Sequence, residues 1–563
     1  MNSKRILLLL PSLCLFGGVL LLFPAFRQWI IEITMQFITR REFSTVKWSG
    51  RLLQFAKIFI FLSSMTIILY ILMERFSIVK KTVIDGINEL VTYNYRKFAS
   101  AFFFMFALYT LGIVSIIRAN FSYSDDLGRS ITGNLGWLGQ SRYLSNVFGI
   151  LLHANVRIND ISPLNQLLAA AFVAAASVIV VNVVSGGKAS KLMLFASLPI
   201  GLSPWFLGCF SFKFDSSWMA LSVLASVFPF LFIRNYFLFS ACSIISLWIM
   251  SMTYQVSSGI YILVVIAICL KQWNEGTLPD KEIFKFAAVS AASYCAAMIL
   301  FRAVFMAQFA GYVNTDVYPA SQMFSGIFYN LSAYIDSLKT NIGFLWKTLL
   351  LLSGIMFLVK TVLYSKRNKG ISLLVSLLAI ILMFVLSFGV YLFLQKPLFG
   401  PRSMYSLGVF IAILGICSVS GKGKVFAVPA LVLCWCFFVF SFSYGNVLAE
   451  QKRYIDFRVE MLMHDLSILF PARSEKAIPI RIKNSAGYTP VINNIAAKNP
   501  IIKQLVPVYL EESIWTYEYL ADYFNFNLQD GHNLEDEGLE LLLDTYYHTI
   551  KAGNGKIFVI IKQ

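Results

Sequence analysis

Residues 163–185 read PLNQLLAAAFVAAASVIVVNVVS, a run of membrane-helix length that contains no charged side chain. Twelve more apolar stretches of the same kind lie near 6–25, 52–73, 98–118, 191–208, 216–233, 236–253, 256–270, 284–305, 343–363, 371–395, 404–420 and 425–446. Together they predict a polytopic α-helical membrane protein of about thirteen spans.

Composition agrees with that reading. The chain has 563 residues, of which 58% are hydrophobic and 13% charged, with 51 Phe and a mean hydropathy of +0.70. A soluble protein carries roughly twice that share of charge. The excess of 47 Lys and Arg over 29 Asp and Glu is read as loop charge that orients the spans. No basic-aromatic motif suggests nucleic acid. Cysteines such as Cys209, Cys242, Cys269 and Cys295 sit inside apolar runs, and no CxxC or paired-His spacing occurs. Disulfide frameworks and zinc sites are therefore disfavoured. Lys4-Arg5 before the apolar run Ile6–Leu22 looks like a signal peptide, but no small-residue cleavage site follows. An uncleaved helix is expected.

The basic residues fall in alternate loops: Lys80, Lys81, Arg96 and Lys97; Lys188 and Lys191; Arg234; Lys271, Lys281 and Lys285; Lys366, Arg367 and Lys369; Lys422 and Lys424. The positive-inside rule makes that side cytoplasmic in a multi-pass inner-membrane protein. Loops 119–162, 209–215, 306–342 and 396–403, and the chain after 446, then lie on the opposite, outer side. The basic segment 26–51 conflicts with this alternation, and an interfacial helix through Trp29–Ile38 would reconcile it. Three parts are expected: N-terminal helices over 1–97, a transmembrane domain over 98–446 with long loops 119–162 and 306–342, and a small α/β domain over 447–563. Within the tail, Ala477–Ile482 and Lys556–Ile561 look strand-like, and Glu450–Leu469 and Leu534–Lys551 look helical. The aromatic run Trp515, Tyr517, Tyr519 and Tyr523 reads as core or interface belt rather than a sugar platform.

Chemistry concentrates in the first long loop. Asp125 and Asp126 are adjacent carboxylates just beyond a span, followed by Arg129, Trp137 and Arg142. An ordinary solvated loop explains a bare Asp pair. The alternative is hydroxyl activation: one carboxylate takes a proton from an attacking hydroxyl while the other orients it, binds a hydroxyl or holds a divalent cation with water. Other loops on the same side bring Lys213 and Asp215, Tyr254 and Gln255, and Arg402. Lys213 and Arg402 could simply snorkel to the interface, but a phosphate leaving group needs such cations. Asp160, three residues before Pro163, is expected to cap the next helix.

Ser124-Asp-Asp-Leu-Gly-Arg-Ser130, with Gly136-Trp137, Ser141-Arg142 and Asp160-Ile-Ser-Pro163, resembles the GtrII family of O-antigen glucosyltransferases, serotype-converting membrane enzymes of phages and bacteria. Phe212–Ser216, Tyr254-Gln255, Pro401-Arg402 and Asn499–Pro507 extend the likeness; Gln140-Ser141-Arg142 stands where the family pattern has Asn-Gly-Arg. The resemblance implies a GT-C-type enzyme working on the periplasmic face, with undecaprenyl-phosphate glucose as donor and a lipid-linked O-antigen repeat as acceptor. In that setting Asp125 or Asp126 is the expected base of an inverting displacement. Arg129, Lys213, Asp215 and Arg402 are expected at the donor, and Trp137, Arg142, Tyr254 and Gln255 at the substrates. This pattern fixes no cofactor, and the Asp125–Asp126 pair leaves room for one divalent cation held with water. A flippase for lipid-linked sugars and an O-antigen polymerase are the competing readings; the first would need ionisable groups at mid-membrane, which the spans largely lack.

Overall fold

The computed structural model describes residues 3–37, 45–75, 81–82, 84–86, 95–306, 314–470, 477–517, 519–520 and 528–563. Among these, nine helices are long and apolar enough to cross a membrane, or eleven if each of two bent helix pairs is one span. The count of thirteen is thus not reached. Ser216–Phe232 and Ser406–Val419 are apolar helices below spanning length. The latter, with 14 residues, covers only about 21 Å of a hydrocarbon core roughly 30 Å thick. One of the two bends has a local cause. Lys191–Leu202 and Pro204–Ser211 meet at 62°, where Pro204 supplies no backbone donor to continue the helix. Pro11–Leu20 and Pro24–Glu32 meet at 96°, and the helix Pro24–Phe37 covers most of the segment expected at the interface; Ile38 lies outside the described residues.

Loops 274–280 and 365–369 meet at one end of the spans: the Lys366 amide donates to the Asn274 carbonyl at 2.8 Å, and Arg367 pairs with Asp280. The Lys271 ammonium reaches the Val184 carbonyl at 2.8 Å at that same end. At the opposite end lie the loop after Ala119, the turn at Tyr254 and the turn Pro401–Ser403. Strands β1 (Asn314–Val317) and β2 (Leu394–Lys396) pair antiparallel there.

The helix Val428–Leu469 has 42 residues, about 63 Å at 1.5 Å per residue. It runs unbroken across position 447, where the composition changes. It packs closely on Tyr95–Ala119 because residue 445 is glycine: a Cβ there would lie 2.4 Å from the Ser115 carbonyl carbon. Its far end carries a five-stranded sheet in the order β4-β3-β7-β6-β5, from β3 (Ile478–Lys483), β4 (Leu528–Asp530), β5 (Glu540–Asp544), β6 (His548–Gly553) and β7 (Lys556–Ile561). β3 runs parallel to β4 and β7, and β6 is antiparallel to β5 and β7. The two strand-like runs of the tail are β3 and β7. Leu534–Lys551 is not the expected helix but contributes β5 and the start of β6. β6 has a period of two, with His548, Ile550 and Ala552 buried and their neighbours less so.

Candidate active site

The span Tyr95–Ala119 ends in a left-handed Asn120 (φ 46°), and the chain then crosses to the short helix Asp126–Thr132. The two adjacent carboxylates have separate fates. Asp126 is fully buried. Its Oδ2 accepts the backbone amides of Lys213 (2.8 Å) and Tyr123 (3.1 Å), and its Oδ1 accepts that of Phe214 at 3.4 Å. Burial pushes its pKa up to about 8, with the Asp215 carboxylate adding to the rise and the two nearer amides and Arg129 opposing it. Asp125 precedes the helix without making a capping bond, and its side chain is 39% exposed. Its Oδ2 stands 3.7 Å from the Arg129 guanidinium.

Arg129 is the hub of this cluster. It pairs with Asp215 and lies 4.9 Å over the Trp137 ring, while the Trp137 indole N–H donates to the other oxygen of Asp215. Burial works against the charge on Arg129, but Asp215, Asp125 and Asp126 outweigh it and raise its pKa. Asp215 is therefore a buried fixture for Arg129 and Trp137. Lys213 is held likewise: its ammonium donates to Asp160 Oδ2 at 2.8 Å. Asp160 is not the helix cap expected from the sequence. Pro163 occupies that position without a side-chain bond, and Asp160 Oδ1 instead accepts the Ser162 amide at 2.9 Å.

A second group stands beside this one. The Arg142 guanidinium lies 4.5 Å over the Tyr254 ring, which stacks on Tyr405 at 6.1 Å. Arg402 lies 5.5 Å over Phe212, whose ring meets Tyr123 edge-on at 4.8 Å. Both guanidiniums are close enough to act on the Tyr254 hydroxyl. Arg402, Asp215 and Arg142 all bear on Cys209, which ties the acidic cluster to the basic one. Arg142 Nε and Asn146 Oδ1, one helical turn apart, are buried with no hydrogen-bond partner, an arrangement that an incoming polar ligand would satisfy. Gln255 serves the backbone: its Nε2 donates to the Gln140 carbonyl at 2.9 Å and steadies the turn Trp137–Gln140.

All ten sequence-derived candidates thus lie in two adjoining clusters around the first loop. Sequence reasoning missed Asn146, Tyr405 and Tyr509. The Tyr509 hydroxyl bridges the loop backbone at Ser122 and Ser124. Only the Asn499–Pro507 likeness pointed toward that region of the tail. Of the aromatic run, Tyr517 and Tyr519 are buried, Tyr519 stacks on Tyr509 at 6.0 Å, and Tyr523 lies outside the described residues. Among the described residues, no three of His, Cys, Asp and Glu gather as metal ligands.

By the length and composition of its helices the chain is a polytopic membrane protein, and it carries a carboxylate beside an anchored arginine and a neighbouring pair of guanidiniums. The model of the family described as glucosyl transferase GtrII matches residues 114–413, and the chain belongs to this family of glucosyltransferases. It is also similar to an uncharacterized 55.3 kDa protein encoded in the gtrB 5' region of Salmonella phage P22, 24% identical over 451 residues that take in 74% of this chain and 87% of the relative. No solved structure matches.

Proposed function

We infer that this glycosyltransferase moves a hexose, glucose being the first candidate, from a polyprenyl-phosphate carrier to lipid-linked O-antigen on the periplasmic face of the inner membrane. The observation that carries the reading is the division of labour between Asp125 and Asp126. Asp126 is inaccessible, and its better-bonded oxygen is taken by two backbone amides. Asp125 is accessible and stands beside a guanidinium anchored from behind by Asp215. Asp125 is thus the group that can accept the acceptor's hydroxyl proton.

The deprotonated oxygen attacks the anomeric carbon, the bond from that carbon to the phosphate oxygen breaks, and the phosphate leaves on its lipid with inversion. Arg142 and Arg402 neutralise the departing phosphate, and the leaving group needs no separate acid. Lys213 and Arg129 act at one remove, Lys213 by holding Asp160 and Arg129 by fixing Asp125.

The test is hexose transfer by the purified protein from a panel of polyprenyl-phosphate sugars to lipid-linked O-antigen, with and without chelator. One donor is expected to be used, and Asp125→Asn is expected to slow its use by about 10²–10⁴-fold. Full activity of a normally inserted Asp125→Asn protein would refute the assignment of the base.

A further inference from the structure

At the end of the spans opposite Asp125, the helices Ser258–Glu275, Phe344–Tyr364, Lys369–Leu386 and Ser406–Val419 enclose a cavity of about 180 Å³. Its lining is graded along the helix axes. Phe357 and Ile413, one to two turns in from the helix ends, make it apolar inside, whereas Lys271, Lys360 and Lys422 lie nearer the rim with one carboxylate, Glu275.

Helix capping accounts for part of that positive charge. The Lys360 ammonium donates to the carbonyls of Cys417 (3.2 Å), Ser418 (2.5 Å) and Ser420 (2.6 Å), which uses all three of its N–H bonds at a helix C-terminus. Lys271 donates one bond to Val184 and stands 3.8 Å from Glu275. Lys422 is exposed. Lys271 and Lys422 therefore keep ammonium hydrogens that capping does not consume. Three ammonium groups face a single carboxylate, so the rim carries a net positive charge over an apolar interior.

We propose that this cavity binds a phosphate-bearing anion with an apolar tail, the chemistry of an anionic phospholipid. Basic pockets between membrane helices recognise such headgroups, and the apolar interior gives an acyl chain a surface that a free anion would not use. The site is separate from the acidic loop and does not depend on the reaction proposed there.

The experiment uses the full-length protein in detergent and follows its thermal unfolding midpoint. Phosphatidylglycerol, phosphatidylcholine with the same acyl chains, and inorganic phosphate are titrated in turn. Phosphatidylglycerol is expected to raise the midpoint and phosphatidylcholine to leave it in place. Apparent affinity is expected to fall about fivefold in each of Lys271→Gln and Lys422→Gln. Lys422→Gln carries the test even if loss of the Lys271 cap weakens the fold. A rise with inorganic phosphate as large as that with phosphatidylglycerol, weakened by both variants, would assign the site to a soluble anion and overturn the apolar tail. Equal responses to the two lipids, or a phosphatidylglycerol response that neither variant weakens, would overturn the proposal.

Discussion

The Tyr509 hydroxyl accepts a hydrogen bond from the Ser124 amide at 2.7 Å, across 385 residues of sequence. It also donates to the Ser122 carbonyl, and its ring stacks on Phe121 at 5.4 Å. Nearby, the Tyr123 hydroxyl donates to the Leu505 carbonyl at 2.8 Å. The C-terminal segment thereby grips the backbone on the N-terminal side of Asp125, where Ser124, whose amide makes one of these bonds, is left-handed at φ 50°. Burial raises the Tyr509 pKa well above its ordinary value.

Tyr509→Phe keeps the ring stack and removes both bonds, leaving an amide and a carbonyl of the loop unpaired. A loss of about 1–3 kcal/mol of stability is expected, together with a fall in transfer rate, because Asp125 sits one residue beyond Ser124. Unfolding midpoints and kcat measured on the same preparation check this. An unchanged kcat would show that the grip does not position Asp125.

The two aspartates should respond differently to the same substitution. Asp125→Asn removes the proposed base and is expected to lower kcat by about 10²–10⁴-fold while leaving the unfolding midpoint near wild type. Asp126→Asn keeps a carbonyl oxygen for the Tyr123 and Lys213 amides, so its rate loss is expected to be much the smaller. Asp126→Ala removes that acceptor and should destabilise the loop. Equal kinetic losses in the two Asn variants would remove the distinction.

Arg142 offers a sharper test of the donor site than Lys213, whose ammonium is committed to Asp160. Arg142→Ala removes a guanidinium whose Nε has no partner within the protein. Donor KM is expected to rise about 10–100-fold, the worth of one hydrogen bond to a charged group, with acceptor KM unchanged. Steady-state kinetics with each substrate varied in turn would show the split.

Much of this site was legible because its chemistry is locally dense. Asp125, Asp126, Arg129, Trp137 and Arg142 fall within one loop, and carboxylates and cations beside apolar spans stand out. The partnerships were not legible. Asp160 reads as a helix cap beside Pro163, yet it pairs with Lys213, 53 residues away. Which aspartate is buried depends on the amides of residues 213 and 214, and no local pattern encodes that. The spans were easy to find as apolar runs, but their number was not. Hydropathy does not register that Pro204 breaks one helix or that Ser406–Val419 stops short. In the tail, the alternation at His548, Ile550 and Ala552 was the available sign of a strand, and the surrounding residues that also form helices obscured it.

The buried acid also gives a dependence on pH. In the unfolded chain the Asp126 carboxyl titrates near its ordinary value of 3.8, and in the fold burial raises this to about 8. Between those values the folded protein holds a proton that the unfolded chain has released, so the contribution to stability is complete below about pH 4 and is lost as pH rises through 8. The loss stops once the folded group has also ionised. Unfolding midpoints of wild type are therefore expected to decline from pH 6 to pH 9 more steeply than those of Asp126→Asn, which has no proton to lose there. The difference between the two curves isolates this one group from every other titration they share. Parallel curves would mean that Asp126 is already ionised in the fold, with its amides and Arg129 outweighing burial. The mild effect expected for Asp126→Asn would then no longer follow, because the substitution would remove a charge that the loop relies on.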